Sequence, residues 1–120
     1  MNAFKAAVLC ELGSPLEIKF ITPNTPLKKG QVFVKLIFSG ICRSQLMEQE
    51  GKRGQDKWLP HLLGHEGVGK VVEVGPEVKK LKVDDYVVAS WIKTSGINAE
   101  PAKYRSVKDN KIINGGNITT

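Results

Sequence analysis

Cysteine is nearly absent from this 120-residue chain, which holds only Cys10 and Cys42. Two thiols cannot frame a small secreted domain, and no CxxC pair is present to suggest a redox or zinc-ribbon motif. Long apolar runs are missing too. The first, Ala6 to Cys10, is closed by Glu11 and is too short for a secretory leader. No later stretch approaches the ~20 residues that cross a bilayer. These absences point to a cytoplasmic protein with reduced thiols and no membrane partner. Aromatic residues amount to 7%, few for stacking on nucleic-acid bases. Blocks of like charge are lacking as well, although the net charge is +6 and the pI about 9.4. The lysines are scattered, as in Lys28-Lys29, Lys52-Arg53 and Lys79-Lys80, and do not form an interaction tail. A solvated basic surface and an anionic partner both remain compatible with that charge. A nucleic-acid-binding barrel is the weakest of the readings, and no nucleic acid is expected as a partner. There is no internal repeat. Nor is there a strand–glycine turn–helix unit for a dinucleotide, because Gly67-x-Gly69 opens a strand and lacks the third glycine at the required spacing.

What is present is ordinary globular chemistry, with 41% hydrophobic and 25% charged residues in a length suited to one domain. Glycine and proline divide the chain into short runs. Phe4–Leu9 reads as a strand, followed by a turn at Gly13-Ser14-Pro15. Leu16 to Ile21 alternates apolar and charged residues, the signature of a half-buried strand, and Pro23 to Pro26 reads as a loop. Val32–Phe38 is apolar on both faces except at Lys35 and reads as a central strand. Ser44 to Glu50 is the best helix candidate, with Ser44 as its cap and Gly51 as its stop. Val68–Val74 and Tyr86–Ala89 read as further strands. After Thr94 the chain turns polar, and Asn117 to Thr120 carries no stop signal. The strand-prone Thr119-Thr120 suggests that the chain ends inside an element, as a truncated one would. Many short strands and one short helix predict a mainly β barrel or sandwich.

The chemistry centres on Cys42 and His65. Thiolate and imidazole are both preferred zinc ligands, bonded at about 2.3 and 2.1 Å. Gly40 precedes the cysteine and Gly64 the histidine, which allows sharp backbone turns beside a site. Taken alone, the pair also fits a buried thiol and an unrelated surface imidazole. The surrounding residues are more specific. Gly40-Ile41-Cys42-Arg43-Ser44, then Leu63-Gly64-His65-Glu66-Gly67-Val68-Gly69, then Val71 to Gly75 and Asp85-Tyr86-Val87-Val88 resemble, in order and spacing, the N-terminal domain of the zinc-containing medium-chain alcohol dehydrogenases.

The resemblance implies a GroES-like, partly open β-barrel with one or two short helices, spanning residues 1–120. It implies that Cys42 and His65 are two of three protein ligands of a catalytic zinc, with Glu66 an acidic neighbour that transiently enters the coordination. Ser44 corresponds to the hydroxyl that hydrogen-bonds an alcohol substrate and starts a proton relay, and Arg43 to a basic residue facing the cofactor's pyrophosphate. Each has a plainer alternative: Ser44 as a helix cap, Arg43 as a solvated charge, Glu66 as a strand residue turned away from His65. An open-coordinated zinc would act as a Lewis acid while NAD or NADP takes the hydride.

Departures from the family pattern are visible. Gln45 stands where an aspartate often supports the metal-binding histidine, Met47 where some members carry a relay histidine, and Asp84 where a glycine usually precedes Asp85. The stretch from Ser90 to Thr120 has no cysteine, so the structural zinc of many relatives is excluded by ligand count. The lobe from Trp91 to Gly116 is expected to be held by packing and turns. Cys10 reads as a small buried hydrophobe and His61 as a loop residue. The third zinc ligand and the nucleotide-binding Rossmann domain lie beyond these residues in the family. The expected function is therefore the zinc- and substrate-binding part of an NAD(P)-dependent oxidoreductase acting on a small alcohol or aldehyde. The 120 residues alone are expected to be inactive and to bind zinc weakly, with homo-oligomers forming only if the Rossmann domain is present. The alternative is a free-standing GroES-like binding or assembly module without catalysis.

Overall fold

In the computed structural model, which describes residues 2–116, the chain forms β1 (Phe4–Leu9), β2 (Glu17–Pro23), β3 (Val32–Ser39), α1 (Arg43–Gln49), β4 (His61–Leu62), β5 (Glu66–Val74), β6 (Tyr86–Ser90), β7 (Lys103–Ser106) and β8 (Ile112–Asn114). The expected strand-prone end at 117–120 lies outside the described residues. Five strands close into a barrel in the order β1-β2-β7-β8-β4, and three form a separate sheet in the order β3-β5-β6. The architecture is thus the expected mainly β, GroES-like one with a single short helix.

The barrel is built around Val8, Ile21 and Ile113, with Ala6, Cys10, Leu62 and Tyr104 packed against them. Burying an aliphatic side chain of this kind contributes roughly 1.5–3 kcal/mol. Alternation locates β2 correctly but assigns its faces wrongly. Ile18 and Phe20 point outward, 68% and 52% exposed, whereas Ile21 is fully buried. The reason is register: Ile21 sits opposite both Phe4 on β1 and Ser106 on β7, over the barrel interior. Strands β4, β7 and β8 were not foreseen. The segment Lys103–Ser106 is polar and the other two strands are only two and three residues long, so periodicity gives no signal. The lobe after Trp91 therefore ends by joining the barrel rather than standing apart from it.

The second sheet differs from expectation in one respect. Apolar β3 is an edge strand, and β5 is central. Gly67 and Gly69 lie within β5, opposite Ser39 and Leu36, which accounts for the dinucleotide-like spacing without a nucleotide. A register shift between Leu36 and Phe38 bends β3 near the end that leads into α1.

The helix begins one residue before the predicted start, and its cap is Cys42 rather than Ser44. The Cys42 amide donates to the Gln45 side-chain oxygen at 2.6 Å, in the reciprocal pattern of a capping box, which leaves Ser44 inside the first turn. Gly51 ends the helix as expected, at φ 78°. The Gly51 amide donates to the Glu48 carbonyl and the Lys52 amide to the Met47 carbonyl, the paired bonds of a Schellman stop.

Candidate functional site

The last ladder pair between β3 and β5 sets Ser39 opposite Gly67. Beyond it the two chains continue in opposite senses, through Gly40-Ile41-Cys42 on one side and back through Glu66 to His65 on the other. Antiparallel pairing therefore brings Cys42 and His65, distant in sequence, to the same end of one ladder. The Ser39 hydroxyl donates to the Glu66 carbonyl at 3.3 Å, holding the two exits together. Gly40 leaves room for the Glu66 side chain: a Cβ there would lie 1.8 Å from Oε1 of Glu66 and 2.9 Å from its Cγ.

Cys42 is half-buried at the helix start. Its thiol is held below the ordinary cysteine range, chiefly by a hydrogen bond from the Ser44 side chain and also by the Ser44 amide, with partial burial and the charge of Glu66 opposing. A helix N-terminus favours thiolate for the same reason. His65 keeps its side chain only 9% exposed, and its Nε2 lies 4.0 Å from Oε2 of Glu66, so Glu66 does not turn away from it. Gln45 is not free to support His65 with its carbonyl oxygen, which accepts from the Cys42 amide. Its amide nitrogen lies near Gly64, 3.9 Å from where a Cβ on that glycine would be. Arg43 is exposed on the first turn of α1.

Cys42, Ser44, Gln45, His65 and Glu66 thus gather at one end of the sheet, but the gathering is incomplete. Among the described residues, the donor atoms of Cys42, His65 and Glu66 do not form a group of three lying within 4.8 Å of one another. Asp84, at φ 77°, adopts the left-handed conformation that a glycine would take without cost, and its carboxylate meets Lys70 Nζ at 2.9 Å. The turn before Asp85 is therefore built with an aspartate in a glycine-like backbone conformation.

Sequence reasoning missed a second cluster. His61 is not a loop residue but a member of β4, 2% exposed. Its Nδ1 faces the Leu62 carbonyl at 2.8 Å, and its Nε2 faces Asp56 Oδ2 at 2.6 Å and Glu48 Oε1 at 3.6 Å. Burial disfavours the imidazolium, but the Leu62 carbonyl and the two carboxylates outweigh it and raise the pKa above 6.5. The three residues come from a helix, a loop and a two-residue strand, so no spacing rule would have joined them. The only visible hint was a histidine beside Pro60.

Residues 28–116 match the family model described as the alcohol dehydrogenase GroES-like domain. An alcohol dehydrogenase of Geobacillus stearothermophilus is 42% identical over 88 residues, which are 73% of this chain and 26% of that protein. The benzyl alcohol dehydrogenase of Acinetobacter calcoaceticus superposes with a TM-score of 0.63 at 31% identity, over 72% of this chain and 23% of that one. An alcohol dehydrogenase zinc-binding domain protein of Burkholderia ambifaria gives 0.62 at 34% identity, over 71% and 22%. The chain spans about a quarter of the length of these relatives. It belongs to the alcohol dehydrogenase GroES-like domain family, the N-terminal domain of the medium-chain alcohol dehydrogenases.

Proposed function

We propose that residues 1–120 are the zinc- and substrate-binding domain of an NAD(P)-dependent oxidoreductase that acts on a small alcohol or aldehyde. The observation that carries this reading is the β3/β5 register, which leads Cys42 and His65 off the same end of one ladder. Zinc fits the donor set: one acidified thiol just before α1 and one imidazole just before β5, with a carboxylate alongside. Cys42 and His65 would hold the ion, which when bound supplies Lewis acidity toward the substrate oxygen.

The remaining roles follow from what each side chain can do. Ser44 carries a hydroxyl in the first turn of α1 beside Cys42, suited to accept the proton of an alcohol and pass it on without a charged base. Glu66, half-exposed beside His65, offers a negative charge to balance the ion and an oxygen able to enter its coordination. Arg43 presents an exposed cation on the first turn of α1, suited to a nucleotide pyrophosphate. The nicotinamide cofactor and the rest of the substrate pocket belong to the much longer chains of the relatives.

One observation favours the alternative of a GroES-like binding or assembly module without catalysis: Cys42, His65 and Glu66 do not close into a three-donor group. Cobalt(II) titration separates the two. The catalytic-domain reading expects an absorption band from sulfur-to-cobalt charge transfer that disappears in Cys42→Ser and shifts in His65→Ala. A cobalt complex without a sulfur band, or one indifferent to Cys42→Ser, overturns it.

A further inference from the structure

The Glu48–Asp56–His61 cluster lies apart from the residues assigned above and has the construction of a ligand set. Its donor atoms all fall within 4.8 Å of one another. The side chains are 25%, 8% and 3% exposed, in that order, so the cluster is largely buried and Glu48 is its most accessible member. Two of the three donors, His61 and Asp56, are also oriented from behind. His61 Nδ1 donates to the Leu62 carbonyl, which orients the ring and leaves Nε2 as the nitrogen that faces the carboxylates and is free to bind an ion once its proton is lost. Asp56 Oδ1 accepts from the Trp58 amide at 2.9 Å, leaving Oδ2 directed at His61. The Trp58 carbonyl is in turn held by the Asn114 side-chain amide at 2.8 Å.

Distance and charge agree. Glu48 Oε1 stands 3.6 Å from His61 Nε2, too long for a hydrogen bond. Two ligands on one tetrahedral ion are separated by roughly 3.4 Å, given bonds of about 2.1 Å. The Asp56–His61 contact of 2.6 Å is held by a proton, and a metal in its place needs an opening of only about 0.8 Å. With His61 protonated, two carboxylates surround one cation and leave a residual negative charge. A divalent ion on a neutral imidazole cancels it.

We infer that Glu48, Asp56 and His61 form a second divalent-cation site, distinct from Cys42 and His65, that takes zinc or a similar borderline ion with water in its open position. An oxygen–oxygen–nitrogen set with one buried imidazole suits such ions better than calcium or magnesium, which prefer all-oxygen ligands. The ion clasps α1 to β4, the two elements that lead to Cys42 and His65.

The test is calorimetric titration of zinc into the full chain carrying Cys42→Ser and His65→Ala, which removes the other donors. One equivalent of zinc binds, and the melting temperature rises with zinc. Adding Glu48→Gln, a shape-preserving change at a part-exposed helix position, weakens binding by about tenfold or more. His61→Gln abolishes binding, and the cobalt(II) form of the double variant shows d–d absorption without a sulfur band. Absence of binding in the double variant overturns the inference. So does unchanged affinity on Glu48→Gln while the circular dichroism stays native.

Discussion

The barrel and the three-stranded sheet are built on opposite principles. The barrel strands supply Val8, Leu9, Ile21 and Ile113, all at most 1% exposed, whereas Val71 is the sole side chain of that kind on the sheet strands among the described residues. The sheet instead carries large apolar side chains into solvent, with Phe38, Tyr86 and Val88 each more than 70% exposed. An uncovered apolar surface of this kind marks a contact face rather than a core. The site residues lie at the end of the sheet and the first turn of the adjoining helix. The lesson is a division of labour: a closed, packed ring provides the buried core, and a lightly packed sheet carries the proposed site.

That contrast can be broken at its strongest point first. Ile21→Ala, which leaves a cavity against Val8 and Ile113, is expected to cost about 2–5 kcal/mol of unfolding free energy in urea denaturation. Val88→Ala on the sheet is expected to stay within about 0.5 kcal/mol. Equal losses at the two positions would refute the division.

A smaller effect concerns the clasp between α1 and β4. The folded state raises the His61 pKa above 6.5, so the native protein binds the proton more tightly than the unfolded chain does. In metal-free buffer this contribution is complete below pH 6.5 and is lost as the pH rises through the folded pKa. Melting curves across that interval should show a decline that His61→Gln removes. The smallest effect is expected at the turn before β6, where Asp84→Gly relieves a left-handed backbone and raises stability by about 1 kcal/mol or less. A lower melting temperature for that variant would show that the ion pair with Lys70 outweighs the strain.

Much of this organisation could be read from the residues. The edges of β1, the turn residues and the Gly51 stop were legible because each rests on local chemistry, and the family pattern around Cys42 and His65 supplied the fold. Other features were hidden for identifiable reasons. The buried face of β2 is set by Phe4 and Ser106, which are remote in sequence. Strand β3 looks central by composition, yet it is an edge because β5 and β6 pair on the other side. Ser44 has the right chemistry for a cap, but Gln45 reaches back to the Cys42 amide and moves the helix start. The His61 cluster joins a helix, a loop and a two-residue strand that meet only in the folded chain.

The two thiols offer the most direct test of whether Cys42 and His65 act as a pair. Cys10, in the barrel, is pushed up to about 11 by burial and by its contact with Glu17, whereas the Cys42 thiol is held below 9.0. Iodoacetamide should therefore label Cys42 at lower pH than Cys10. Adding zinc should slow labelling of Cys42 several-fold and leave Cys10 unaffected, and His65→Ala should weaken that protection. If zinc protects Cys42 equally well in His65→Ala, or not at all in the natural sequence, the shared-metal account is wrong.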